Sequence, residues 1–204
     1  METATRIEGC AGALVAGGAG RRLGGVAKGL LLLDGEPIAA RTARLLGRLF
    51  DEVLLSANDA APYAFLGLPA IADRHAGKGA PGGLHALLRA ARAPWVFTAA
   101  CDVPFPSEAG IRLLATRRAG GDAVVVRWGG HLQFMHALWS RACLAPLEAL
   151  LAAGDPSLYD LAAAVRLVEV DEAAWAEVDP GGRAFENANT PADLARLGLA
   201  RPTS

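Results

Sequence analysis

Cysteine, net charge and long apolar runs are all in short supply in this chain of 204 residues, and each shortage excludes something. Three cysteines, Cys10, Cys101 and Cys143, are an odd number with no C-x-x-C, which argues against a disulfide scaffold or a zinc site and fits a reducing cytoplasm. Lys plus Arg number 20 against 21 Asp plus Glu, so there is no global basic field for nucleic acid and no acidic tail, and any recognition of an anion must be local. Asp34, Arg41 and Arg44 punctuate the Leu-rich region, and no stretch reaches the uninterrupted apolar length of a membrane span. The opening METATRIEGCAG lacks the apolar core of a signal peptide. The two commonest phosphate-loop spacings are missing as well. No glycine is followed by Lys and then Ser or Thr, and Gly18-Ala-Gly20 meets its next glycine only at Gly24, which fails G-x-G-x-x-G.

What the chain does have is glycine and apolar residues. At 52% hydrophobic it can fill one α/β domain and is short for two. The apolar run Ala11 to Val15 reads as a buried strand leading into Gly17, Gly18, Gly20, Gly24, Gly25 and Gly29, interleaved with Arg21, Arg22 and Lys28. Glycine lets successive backbone N–H groups converge on phosphate oxygens, and three cations can offset a triphosphate. A nucleotide phosphate is the leading ligand.

Further strands are expected at Val53 to Leu55, Ala70 to Ala72, Trp95 to Ala100, Ala123 to Val126, His131 to Trp139 and, last, Val165 to Val170. Helices are expected from Ile38, on the spacing 38, 42, 45, 46, 49 and 50, from Leu84, from Ser107 and over Arg141 to Ala153. Arg41, Arg44 and Arg48 fall on the outer side of the first helix and read as a solvated face, with an interaction surface as the open alternative. In a parallel sheet, ligands bind beyond the carboxyl ends of the strands. That gives Ser56 and Asn58, Asp73 with the glycine-rich 77–83 stretch, and Asp102 a positional reason to meet the ligand. Cys101 reads as a packed residue, His75 and Lys78 as solvated loop residues, and His131 and His136 as sheet or substrate-side polar residues, since their spacing does not suit a metal. Asn187 and Asn189 alternate in an extended segment, which sends both amides to one side. Thr190, Pro191 and Asp193 form a helix start of capping-box type.

Val15-Ala16-Gly17-Gly18, Arg22-Leu23-Gly24 and Lys28 resemble the L-A-G-G-x-x-x-R-M-G-x-x-K signature of nucleotidyltransferases with a glycosyltransferase-A-like fold. The doubled glycine, Asp73 with Gly79-Ala-Pro-Gly82-Gly83, Cys101-Asp102-x-Pro104 and Asn187-x-Asn189-Thr190-Pro191 are most similar to the molybdenum cofactor guanylyltransferase (MobA) family. The resemblance runs from Ala13 to about Leu199 and implies one nucleotidyltransferase domain over 1–204. The implied fold is a three-layer α/β sandwich with a Rossmann-like, mostly parallel central sheet and an antiparallel addition from the 123–139 region. It implies transfer of GMP from GTP to the phosphate of molybdopterin or molybdenum cofactor, with Mg²⁺ as cofactor and molybdoenzyme apoproteins or their chaperones as recipients.

Carried over position by position, Val15, Ala16, Gly17, Gly18, Lys28, Ser56, Asn58, Asp73, Gly82 and Asp102 would bind the nucleotide. Arg22, Lys28 and Asp102 would be catalytic, with Asp102 on the metal and Asp73 reading guanine, while Asn187 and Asn189 would address the acceptor. Ser56 stands where relatives carry asparagine, Phe134 or its neighbour replaces a common proline, and the Gly154-Asp155 junction lacks the basic residues that relatives often place there. A CTP-dependent cytidylyltransferase, a sugar-phosphate nucleotidyltransferase and a non-catalytic GTP-binding module remain open alternatives at this point.

Overall fold

The computed structural model describes residues 5–16, 27–75 and 77–202. The chain opens with β1, Cys10–Val15, then a 3-10 turn at Lys28–Leu30 and a two-strand hairpin, β2 Leu32–Leu33 and β3 Glu36–Pro37. Asp34 and Gly35 both take positive φ (53° and 81°), as a two-residue hairpin turn of the primed type requires. Helix α1, Ile38–Leu49, follows, then β4 Val53–Ser56, β5 Ala70–Ile71, α2 Gly79–Ala90 and β6 Trp95–Ala100. The second half contains α3 Glu108–Arg117, β7 Ala123–Trp128, β8 His131–Leu132, β9 His136–Ser140, α4 Leu144–Ala153, α5 Leu158–Ala164, β10 Leu167–Val170, α6 Glu172–Ala176, α7 Pro191–Leu197 and β11 Leu199–Ala200.

The central sheet runs β10-β7-β9-β6-β1-β4-β5. Pairings β1 with β4, β1 with β6, β4 with β5 and β7 with β10 are parallel, and β9 alone runs against both its neighbours, β6 and β7. The antiparallel addition expected from the 123–139 region is present. It is one reversed strand inside the sheet, plus β8 paired to the end of β7.

Both faces of the sheet are covered, which is why its strands read as continuous apolar runs. One core packs Leu84, Leu87 and Leu88 of α2 and Leu147 and Leu151 of α4 against Ala11, Ala13, Val125 and Trp139. The other packs Leu45, Leu46 and Leu49 of α1, Ile111 and Leu114 of α3 and Trp175 of α6 against Phe97, Val124 and Leu138. A smaller core of Leu31, Leu33, Ile38, Leu194, Leu197 and Leu199 joins α7 to the separate antiparallel sheet β11-β2-β3.

Four local expectations change. The 79–83 glycines are not a loop: α2 begins at Gly79, and Pro81 is tolerated in its first turn because the amide it lacks has no intrahelical acceptor there. The 131–139 stretch is two strands, because the chain turns at Gln133, whose carbonyl accepts from His136 N at 3.1 Å. The 141–153 helix is a 3-10 turn at Arg141–Cys143 followed by α4. The strand at 167–170 is not the last, since β11 returns to β2. Among the expectations met, Ser107 caps α3, accepting from Gly110 N at 3.0 Å, and Thr190 and Asp193 form a reciprocal capping box on α7.

Candidate active site

The sheet register sets up the site. Val15 at the end of β1 stands level with Ser56 of β4 and Ala100 of β6, Ser56 stands level with Ile71 of β5, and Ala99 pairs with His136, the first residue of β9. Because β9 is reversed, its beginning lies at the same edge as the ends of its neighbours. The ladders continue just past the strands: Cys101 N donates to Val15 O (3.0 Å), Ala16 N to Ser56 O (2.8 Å) and Ala57 N to Ile71 O (3.1 Å). These bonds hold the post-strand residues rigid and open a cleft of about 630 Å³ above the sheet edge. Its lining includes Val15, Ala16, Ser56, Asn58, Asp73, Asp102 and Asn187.

At Asp102, which lines the cleft, Lys28 Nζ donates to Oδ2 at 2.9 Å and also to Asn189 Oδ1. Asn189 Nδ2 in turn donates to Asn187 Oδ1 at 2.6 Å. The expected alignment of the two amides is realised, and a lysine 161 residues away in sequence joins them to the acid after β6. Both members of the ion pair are about one fifth exposed, 22% for Lys28 and 18% for Asp102. The carboxylate is thus screened from bulk water yet reachable from the cleft. Behind it, Ala188 N donates to Asp102 O (3.3 Å). Tyr63 packs close to Gly29: a Cβ added there would meet Tyr63 Cε1 at 2.7 Å. The Tyr63 hydroxyl and Cys101 Sγ lie 3.7 Å apart, and burial pushes the Cys101 thiol up to about 11. Cys101 is a packed, un-ionised neighbour of the site, as expected, and not a nucleophile.

Among the described residues no three His, Cys, Asp or Glu side chains gather to hold a metal. Asp102 would offer a divalent ion a carboxylate at the cleft. That donor set suits a small hard cation that keeps waters and takes its remaining ligands from substrate phosphate.

At one end of the cleft Asp73 is locked in place. Asn58 Oδ1 accepts from Asp73 N (2.9 Å), and Asp73 Oδ1 accepts from His75 N (2.7 Å). Asn58 thus directs its carbonyl oxygen at the Asp73 loop. Gly82 does not line the cleft. A Cβ at Gly82 would stand 2.3 Å from Asp73 Oδ2, so the glycine is the space in which the carboxylate sits. A Cβ at Gly83 would approach Ser56 Oγ at 3.1 Å.

The opposite wall holds residues that the motifs did not single out for binding: Gln133, Met135, Ala184 and Phe185, with His136. His136 is ringed by Phe97 (4.9 Å between centroids), Trp175 (5.3 Å) and Phe185 (5.7 Å), all edge-on. Burial depresses its pKa to about 4 against a weak opposing pull from Asp179, so the ring is neutral at physiological pH. Asp179 holds the approach to this wall, accepting from Ala184 N (2.9 Å), Arg183 N (3.1 Å) and Trp175 Nε1 (3.3 Å). In the sequence, this wall is signalled by His136, which reads there as a sheet or substrate-side polar residue. His75 and Lys78 are less free than expected, since His75 packs edge-on against His85 and Lys78 Nζ donates to Gly154 O (2.8 Å). Gly17, Gly18 and Arg22, with the rest of the 17–26 loop, lie outside the described residues.

Residues 12–170 match the MobA-like NTP transferase domain family. A molybdenum cofactor guanylyltransferase of Cereibacter sphaeroides is 38% identical over 190 residues, covering 91% of this chain and 93% of its own. That of Burkholderia orbicola is 39% identical over 203 residues, covering 92% and 94%. Among solved structures, molybdopterin-guanine dinucleotide biosynthesis protein A of Archaeoglobus fulgidus superposes with a TM-score of 0.78 at 24% identity, covering 91% of this chain and 95% of its own, and so shares the fold.

Proposed function

The chain belongs to the MobA-like NTP transferase family, and we propose from that membership that it transfers GMP from GTP to the terminal phosphate of molybdopterin or molybdenum cofactor. An acceptor phosphate oxygen attacks the α-phosphorus. The bond between the α- and β-phosphates breaks, pyrophosphate leaves with its electron pair, and a guanine dinucleotide cofactor remains. Such chemistry needs positioning and charge compensation more than covalent help from the protein.

In this reading the guanine lies at the Asp73 end, where a fixed carboxylate can accept from the ring N–H and the amino group together. The phosphates run from there toward Lys28 and Asp102; by their place in the motif, Val15, Ala16, Gly17 and Gly18 would hold them and Arg22 would offset their charge. A divalent ion, Mg²⁺ in this proposal, would be held by Asp102 and would supply charge neutralisation on the phosphate oxygens. Lys28, anchored by Asp102 and Asn189, provides a positive charge that need not reorganise as negative charge develops. Asn187 and Asn189 address the acceptor, and the neutral, apolar wall of His136, Met135 and Phe185 excludes water behind it.

The observation that carries the proposal is the junction of Lys28, Asp102 and Asn189. One contact network joins the end of the phosphate loop, the acid beyond the central strand and the closing Asn motif. The test is pyrophosphate release by the purified protein with molybdopterin and Mg²⁺, offering GTP, CTP and UTP in competition. Release with GTP that depends on molybdopterin is expected. Preferred use of CTP, or GTP binding without release, would overturn the reading.

A further inference from the structure

A second, smaller groove of about 350 Å³ lies beside the cleft, lined by Arg41, Arg44, Leu45 and Arg48 of α1 and by the Pro104-Phe105-Pro106 segment with Glu108. The two recesses adjoin along the chain, since Val103 lines the cleft and Pro104 the groove. The α1 arginines, read from sequence as a solvated face or an interaction surface, carry more charge than their partners absorb. Arg44 takes both oxygens of Glu36, with Nη2 at 2.9 Å from Oε2, leaving Arg41 at 3.6 Å from the same carboxylate. Arg112 donates twice to Glu108 Oε1, at 3.2 and 3.0 Å, leaving Arg48 at 3.6 Å from Oε2. Four guanidinium groups thus share two carboxylates that are each already gripped, and Arg41 and Arg48 are the surplus. Seven residues apart on one helix, they stand about 10 Å apart along its axis. Between them the floor is apolar, Leu45 with Phe105, and Arg183 lies over the Phe105 ring at 3.7 Å.

We propose that this groove docks an acidic segment of a partner protein, with carboxylates meeting Arg41 and Arg48 and an apolar side chain seated on Leu45 and Phe105. Two cations separated by an apolar floor fit a chain with spaced acids around a hydrophobic anchor better than one compact anion, which would sit against a single guanidinium. Steering by such a patch acts mainly on association and is weakened by salt. The position links docking to the chemistry: a segment held here lies next to Val103 of the cleft and to Arg183, which leads into the Ala184-Phe185 wall. This last step rests on the transferase reading, whereas the docking itself does not.

The test uses the full chain and a fluorescent synthetic peptide of sequence Glu-Glu-Leu-Phe-Glu-Glu, with a Gln-for-Glu copy as control and pyrophosphate as a small-anion competitor. The double variant R41Q/R48Q removes the surplus charge and spares both gripped carboxylates. The expected result is salt-sensitive binding of the acidic peptide by the wild type, about tenfold weaker binding by the variant, no binding of the Gln copy, and unchanged pyrophosphate release with free substrates. Equal binding by the variant, no binding by the wild type, or displacement of the peptide by stoichiometric pyrophosphate would overturn the proposal. Failure of the wild type to release pyrophosphate would instead count against the transferase reading alone.

Discussion

On one side of the cleft, Val15, Ala16, Ser56, Asn58 and Asp73 sit where parallel strands end, and their places are set by backbone bonds that carry the ladder a residue or two further. On the other side, beside Ala184 and Asn187, Phe185 and His136 pack into interlocked rings of Trp175, Phe97 and Trp128. The first wall is polar and specified by hydrogen-bond geometry, which suits a base and its triphosphate. The second is fixed by aromatic packing and presents a neutral surface with two amides at its margin. Among the described residues, Lys28 bridges the two sides, bonding to Asp102 after β6 and to Asn189 of the amide pair. The two walls should therefore respond to substitution in separable ways, and only changes at the bridge should affect both.

Asp102→Ala tests the bridge and carries the largest expected effect. Transfer should fall about a hundredfold or more, with an unchanged melting curve, because Lys28 loses its anchor and the divalent ion its carboxylate. Retained activity would remove the bridge from the account. Gly82→Ala tests the nucleotide wall alone. The new methyl at 2.3 Å from Asp73 Oδ2 must expel the carboxylate, so KM for GTP should rise about tenfold or more and preference over CTP should shrink, with KM for the acceptor steady. Asn187→Ala tests the other wall. The acceptor KM should rise several-fold, in keeping with loss of about one hydrogen bond, while GTP binding measured by calorimetry stays as it was. If both substrates weaken equally, the walls are not separate.

His136→Phe should change least at neutral pH, since phenylalanine keeps the edge-on contacts with Phe97, Trp175 and Phe185. Its effect should appear on acidification. With a folded pKa of about 4, below the ordinary value of 6.5, the unfolded chain binds the proton first as pH falls. The wild type therefore loses stability from about pH 6.5 down through pH 4, by something on the order of 3 kcal/mol. The phenylalanine variant should lack that part of the loss. Parallel pH–stability curves for the two proteins, from chemical denaturation, would show that the ring is not held neutral in the folded wall.

The nucleotide wall was largely legible in the sequence because its chemistry is local. A strand, a glycine and an acid at the strand end can be read from neighbours, and Asp73, Asp102 and the Asn187-Asn189 pair lie at the cleft, three of them in its lining and Asn189 at the Lys28 bridge. Less legible was how they meet. That Lys28 reaches Asn189, or that Gly82 exists to admit Asp73, depends on contacts between distant segments, and glycines read as a loop became the first turn of α2 because close packing against Asp73 and Ser56 overrides their weak helix preference. The aromatic wall was less legible for the same reason: His136 read as a sheet or substrate-side polar residue, but Phe185 gave no signal of its own, and only the reversed β9 brings His136 to the edge where the other strands end. Surplus charge on α1 was equally hidden, since it emerges only when Glu36 and Glu108 are seen to be taken by Arg44 and Arg112.

The most direct test of the central claim, that a purine triphosphate spans the edge from Asp73 to Lys28 and Asp102, is a crystal structure with a non-hydrolysable GTP analogue and Mg²⁺. The account predicts guanine hydrogen-bonded to the Asp73 carboxylate and the metal on Asp102, with the phosphates beside Lys28. A nucleotide bound outside this cleft, or with its base at the His136 wall and its phosphates at Asp73, would contradict it.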